Sequence, residues 1–226
     1  MTRTDIDAAA IEGIVANGDS IESAGNQGSI HVGTIGDRRV LVKAAYGNPL
    51  MAWLRRKMLR RELRAYERLQ GIAGIPRCYG MFCNQFLAIE FIDAPTYRHS
   101  PPVEWERFFE RFLAIITAIH ERGVAHGDLM RKSNILVGEG EYPYLIDFGV
   151  ATIHRPGFHP LNRLAHNFLW QHDYNAWLKH KYRREFENMT PEDARYYRPQ
   201  VIDRLASVFK RTTRRLLGRG HRRAAR

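Results

Sequence analysis

The stretch that most constrains this chain is His126-Gly127-Asp128-Leu129, followed by Asn134 and then by Asp147-Phe148-Gly149 behind the apolar run Tyr144-Leu145-Ile146. An acid in a tight loop, an amide further on and a second acid closing a strand form one ordered series. Taken singly each part is ordinary, since a lone Asp usually sits in solvent and Asp-Phe-Gly is often only a turn. The order is what carries chemistry: these are the parts needed to hold a magnesium-bound nucleoside triphosphate and orient an attacking hydroxyl. Phosphates are strongly anionic and phosphoryl transfer gains little from covalent chemistry with the protein, so such a site must supply position and opposing charge. Asp147 is expected to chelate Mg²⁺. Asn134 is expected to complete a second metal shell with a neutral oxygen, and Asp128 to face the hydroxyl as base or orienter.

This series resembles the protein-kinase-like superfamily and, within it, the compact bacterial Rio-type and lipopolysaccharide-core kinases, whose catalytic loops read His-Gly-Asp-Leu. The resemblance implies a lysine on the third strand, and Val40-Leu41-Val42-Lys43 after the turn Gly36-Asp37 fits it. It also implies a glycine-rich loop upstream, where Ser23-Ala24-Gly25-Asn26-Gln27-Gly28-Ser29-Ile30 lies, with Ser23 at the place of the usual first glycine. Gly25 and Gly28 would let backbone N–H groups approach phosphates with no Cβ in the way. Alone, that pair reads as a hairpin turn, and its place ahead of Lys43 reverses the reading. The lysine calls for a helical carboxylate. Leu59, Leu63, Tyr66 and Leu69 recur at helical spacing, with Glu62 beside their stripe. Glu62 is therefore expected to hold Lys43, and Glu67 to be a solvated partner of nearby arginines.

Three departures stand out. Five residues, Leu129 to Ser133, separate Asp128 from Asn134, one more than in the commonest kinase loop. Met130 stands where many serine/threonine kinases carry a lysine, leaving Arg131 or Lys132 to supply that charge. No Ala-Pro-Glu follows Gly149, so a reduced second lobe and a nonstandard acceptor are expected.

A chain of 226 residues with 44% hydrophobic content can bury one core or two small lobes. The expected fold class is α+β: a bilobal protein-kinase-like fold with a small antiparallel-sheet N-lobe plus one helix, and a truncated, mainly helical C-lobe. The expected division is 1–93 and 94–226, one catalytic unit. Strands are expected within about 20–44, at about 77–83 and at about 85–92, with a helix at about 50–70. Asp93-Ala94-Pro95 reads as a crossover linker, because proline biases its predecessor away from helix. Glu90 and Ile92 would then offer backbone groups to the adenine edge. Trp105, Phe108, Phe109, Phe112, Leu113, Ile116 and Ile119 predict a core helix from about 103 to 122. His120 reads as a packed or capping residue and His126 as a loop brace. Cys78 and Cys83 imply no disulfide framework and read as small buried apolar residues in a reducing cytosol. Neither a secretory leader nor a membrane span is apparent, which predicts a cytoplasmic protein, peripheral at most on the inner face of the membrane.

The formal charge of +11 is concentrated. Arg55, Arg56, Lys57, Arg60, Arg61 and Arg64 flank Met51, Trp53 and Leu54. A second basic run ends the chain, interleaved with Leu205, Val208, Phe209, Leu216 and Leu217. Such a segment suits an anionic membrane surface, phosphate-rich glycolipid or RNA, and equally a helix packed on the second lobe. Three function classes follow. The leading one is an ATP- and Mg²⁺-dependent kinase acting on a hydroxyl, with a lipopolysaccharide-type glycolipid sugar ahead of a protein serine or threonine. A nucleotide-holding pseudokinase is second, and a charge-driven nucleic-acid binder is disfavoured because no recognised nucleic-acid module is present.

Overall fold

In the computed structural model, residues 6–17, 19–21 and 29–198 are described. The expected glycine-rich loop, with Gly25 and Gly28, and the basic segment 204–226 lie outside those residues.

Alternation of apolar residues builds a five-stranded antiparallel sheet from β1 (Asp19–Ile21), β2 (Ser29–Ile35), β3 (Arg38–Ala44), β4 (Cys78–Phe82) and β5 (Phe86–Glu90), in the order β1-β2-β3-β5-β4. In β3 and β5 the period of two separates two faces. Val40, Val42, Ala44, Phe86 and Ala88 pack under helix α1 (Ala8–Asn17) through Ile11 and Ile14. Leu41, Leu87 and Ile89 turn the other way, toward helix α2 (Pro49–Leu69) and the main core. The register sets Lys43 opposite Leu87 and Leu41 opposite Ile89. Helix α1 was not foreseen; one i, i+3 pair of buried residues, Ile11 and Ile14, is a weak signal.

Helix α2 begins where Asn48 accepts the Met51 N–H at 2.9 Å and Pro49 takes the first turn, where no amide hydrogen is needed. Its inward face is Leu59, Glu62, Ala65, Tyr66 and Leu69, all buried. Glu67 is exposed, as expected of a solvated residue. After β5 the backbone from 91 to 95 is neither helix nor strand, and it leads to a bridge between Thr96 and Leu136.

Helix α3 (Trp105–Glu121) buries Phe108, Phe109, Phe112, Ile115, Ile116 and Ile119. Its first turn has no side-chain cap of its own. The Glu141 carboxylate takes the Val103 and Glu104 N–H groups at 2.8 and 2.7 Å instead. Short strands β6 (Val124–Ala125), β7 (Ile135–Val137), β8 (Pro143–Leu145) and β9 (Thr152–Ile153) pair as β6 with β9 and β7 with β8. Helix α4 (Pro160–Lys181) packs against β6 and β9 and buries Tyr174 and Trp177 beside α3, and α5 (Pro191–Ala194) follows. The fold is α+β, an antiparallel sheet beside a mainly helical portion, compatible with a bilobal kinase-like arrangement. Cys83 departs from expectation: it is exposed in the β4–β5 turn at φ +48°, where its thiol lies 3.2 Å from Glu12 Oε1.

Candidate active site

Lys43 sits on the cleft face of β3, buried to 6% exposure, because strand alternation turns it away from α1. One face of α2 brings Glu62 to it: Nζ donates to Glu62 Oε1 at 2.6 Å and to Asp147 Oδ1 at 3.2 Å. Three charged residues from a strand, a helix and the end of the β8 segment thus converge. Burial pulls the Lys43 ammonium down, and the two carboxylates together outweigh it and hold it above the ordinary lysine value. Burial holds the Glu62 carboxyl above the usual carboxylate range against the opposing pull of Lys43.

Asp147 has φ +68°, a left-handed backbone rarely occupied by non-glycine residues. The next residue explains how it is held. Phe148 is fully buried and packs between Tyr66 of α2, edge-on at 5.1 Å, and His126, tilted at 4.5 Å. The chain of rings couples α2 to the loop carrying Asp128.

That loop, 126–134, is fixed from several sides. His126 Nε2 bonds the Ile146 carbonyl at 3.0 Å, and its Nδ1 accepts the Asp128 N–H at 3.3 Å, so His126 braces the loop. Asn134 Nδ2 donates to the Asp128 carbonyl at 3.1 Å and to its carboxylate at 3.0 Å. Both amide hydrogens are thus committed, and the amide oxygen, which accepts from Ser133 Oγ at 3.4 Å, is the neutral oxygen that Asn134 has left for a metal. Arg131 Nε lies 3.4 Å from Asp128 Oδ2, whereas Lys132 Nζ sits 4.9 Å over the Tyr97 ring. Of the two basic candidates, Arg131 is therefore the one beside the acid.

Helix α4 supplies groups that the sequence reading missed. Asp173, fully buried, accepts the backbone N–H groups of His126 at 2.7 Å and Gly127 at 2.8 Å, and its Oδ2 lies 3.0 Å from His120 Nε2. His180 Nε2 bonds the Leu129 carbonyl at 2.9 Å, and Lys179 Nζ donates to the Met130 carbonyl at 3.1 Å. A signal was available: an acid between Trp170 and Trp177, in a run otherwise rich in aromatic and apolar residues, needs a buried donor set.

A cavity of about 240 Å³ opens between the sheet and the helical portion, lined by Leu41, Lys43, Ile89, Glu90, Ile92, Asn134 and Asp147 among others. Its walls are apolar toward β3 and β5, while its inner end gathers Lys43, Asn134 and Asp147. Of the residues expected at the site, Lys43, Glu90, Ile92, Asn134 and Asp147 line this one space, Glu62 stands behind Lys43, and Asp128 borders it through Asn134. Among the described residues no cluster of three or more His, Cys, Asp or Glu side chains forms a protein-only metal cage.

No family model matches the chain. A probable serine/threonine-protein kinase of Dictyostelium discoideum, fnkB, is 30% identical over 106 residues, which is 42% of this chain and 20% of that protein. The serine/threonine-protein kinase grp of Drosophila melanogaster is 38% identical over 55 residues, 24% of this chain and 10% of that protein. The chain thus spans a fifth or less of the length of these curated relatives. The similarity is partial, and it is to protein kinases; it does not single out the Rio-type or lipopolysaccharide-core group.

Proposed function

We propose that this chain is an ATP-dependent kinase that transfers the γ-phosphoryl group to a hydroxyl. The observation that carries the proposal is Lys43 held between Glu62 and Asp147 at the inner end of an apolar-walled cavity. A buried ammonium poised on two carboxylates can exchange one of them for a phosphate oxygen while the other keeps it in place. Glu62 is the carboxylate suited to stay, being almost wholly enclosed, and Asp147 the one suited to turn toward a metal.

The residues fit Mg²⁺ bound with nucleotide: Asp147 and Asn134 line the same space and carry hard oxygen donors, too few for a closed cage and sufficient when phosphate oxygens complete the shell. Bound there, Mg²⁺ supplies neutralisation of phosphate charge. Gly25 and Gly28 are proposed to cover the phosphates, and Glu90 and Ile92 to present backbone groups to the base. Asp128 is proposed to orient the acceptor hydroxyl and take its proton, with Arg131 balancing its charge. The division into 1–93 and 94–226 is part of this reading, supported by the irregular backbone at 91–95.

For the acceptor, a sugar hydroxyl of a lipopolysaccharide-type glycolipid is favoured. In its support, only ten residues lie between Gly149 and Pro160, the start of the helix that grips the 126–134 loop, so little chain is present there to dock an extended peptide. A protein serine or threonine is the second reading, favoured by the names of the two relatives. The test is incubation of the purified chain with γ-labelled ATP and Mg²⁺, separately with a membrane glycolipid fraction and a protein extract. Label in glycolipid supports the first acceptor and label in protein the second. Absence of ATP turnover with either, matched by the Asp128→Asn variant, rejects the kinase.

A further inference from the structure

We propose that the outward face at the start of α2 docks on a bilayer containing anionic lipid. Leu50, Trp53 and Leu54 are 72%, 55% and 42% exposed on the first two turns of this helix. Three large apolar side chains in one place are more than the scattered exposure normal for a soluble surface. Spacing of three and four residues continues that face into Lys57, Arg60 and Arg61, all exposed. The opposite face carries Leu59, Glu62 and Tyr66 into the core, so the apolar tip is not surplus core surface that a small rotation would bury.

Charge identifies the occupant. From Arg38 to Arg61 the chain contains no Asp or Glu, and the first acid after it, Glu62, is turned inward onto Lys43. The face is therefore apolar at one end, cationic along the next two turns and without an acid of its own. Tryptophan with flanking lysine and arginine is the combination that settles at a membrane interface: the ring takes the boundary between headgroup and acyl chain, and the long cationic side chains reach the phosphates. Lys57 Nζ already lies over the Trp53 ring, 5.5 Å from its centroid, so cation and ring share one patch. A nucleic-acid phosphate backbone would satisfy the cations and leave Leu50 and Leu54 in water. A bilayer takes both sets at once, and it meets the same helix that positions Glu62.

The test uses the full chain without ATP, so its outcome is independent of the kinase reading. Partition is measured into phosphatidylcholine vesicles with and without phosphatidylglycerol, across a salt series. Wild-type partition is expected to rise with phosphatidylglycerol and fall with salt. Leu50→Ser/Trp53→Ala and Lys57→Glu/Arg61→Glu are each expected to lower it about tenfold or more, with unchanged thermal melting. Brominated lipid is expected to quench wild-type tryptophan fluorescence and to lose that effect in Trp53→Phe. Wild-type partition in both double variants, with Trp53 unquenched, overturns the proposal and places any vesicle binding elsewhere on the chain. Two other results also overturn it: dimerisation by light scattering that the apolar variant abolishes with no vesicle binding, and RNA retention lost only in the charge variant.

Discussion

The Asp173 carboxylate receives the His126 backbone N–H at 2.7 Å, so a helix lying 47 positions further along the chain holds the loop that carries Asp128. The same carboxylate also takes Gly127 N–H and meets His120, which makes it the hub of a buried polar cluster. In Asp173→Ala two buried backbone donors lose their acceptor, each at about 1–3 kcal/mol. The expected result is a loss of about 3 kcal/mol or more by urea unfolding. Asp173→Asn keeps one oxygen and should lose less stability. Equal stability of Asp173→Ala and wild type would show that the cluster does not hold the loop.

The Lys43 and Glu62 pair separates stability from turnover. Lys43→Met leaves Glu62 buried with no cation, and breaking a buried pair in this way costs about 3–5 kcal/mol. Glu62→Gln keeps shape and a hydrogen-bond acceptor, so it should unfold within about 1–2 kcal/mol of wild type. Both variants are expected to lower the rate of ATP turnover by about a hundredfold or more, since oriented charge on the phosphates is lost in each. Combining them should recover part of the stability lost in Lys43→Met and none of the turnover. Unfolding titrations beside steady-state assays measure the two effects.

Much of this arrangement was legible in the sequence where short-range chemistry sets it. Helical spacing set Glu62 beside the buried stripe of α2, whereas Lys43 was singled out by the kinase resemblance, and it is the alternation of β3 in the structure that turns it away from α1. The choice between Arg131 and Lys132 was not legible, because both lie in the same turn and only tertiary neighbours separate them: Asp128 for one and the Tyr97 ring for the other. Asp173, Lys179 and His180 were missed for a related reason. Each acts on main-chain atoms of the 126–134 loop, and main-chain partners leave no side-chain pattern to match, so the place of Asp173 between Trp170 and Trp177 marks a buried acid without saying what it holds. Helix α1 escaped because two buried isoleucines are too few to establish a period.

His180 makes stability depend on acidity. Burial first, and the charges of Lys179, Lys132 and Arg184 after it, push its ring down from the ordinary 6.5 to about 4 against the opposing hydrogen bond to Leu129. Between those values the unfolded chain binds a proton that the folded chain does not. Folding is therefore weakened as pH falls from about 6.5 toward 4, and the contribution is fully present above 6.5. The limit is about 3 kcal/mol, at 1.4 kcal/mol per unit. Urea midpoints taken across this window should fall with pH in wild type and fall less steeply in His180→Gln. Parallel slopes would assign the acid sensitivity to other groups.

Gly74 tests the packing behind β8. Its φ is +84°, and a Cβ there would lie 2.4 Å from Ile115 Cδ1 and 2.7 Å from the Pro143 carbonyl. The isoleucine tip can move, but the carbonyl belongs to β8, which leads to Asp147. Gly74→Ala should lose about 2–4 kcal/mol by thermal or urea unfolding, combining the left-handed backbone cost with overpacking. Gly71, also at positive φ, has nothing within 4 Å of its Cβ position, so Gly71→Ala should lose only the backbone part, about 1–2 kcal/mol.

Asp128→Asn distinguishes an acid that meets the acceptor from one that holds metal. Asp128 does not line the cavity that Lys43, Asn134 and Asp147 share, and its carboxylate is instead occupied by Asn134 and Arg131. Removing its charge while keeping its size should leave nucleotide affinity within about threefold, because a group outside the nucleotide space makes no direct contact to lose. The turnover rate should fall by about a hundred to ten thousandfold, the range general-base assistance supplies. Asp147→Asn should behave differently, weakening affinity for the magnesium-bound nucleotide as well as turnover, since a neutral oxygen replaces a charged ligand. Nucleotide titrations followed by fluorescence, with and without Mg²⁺, read the first quantity, and initial rates at saturating ATP read the second. A large loss of nucleotide affinity in Asp128→Asn, equal to that of Asp147→Asn, would move Asp128 from the acceptor side of the site to the metal side.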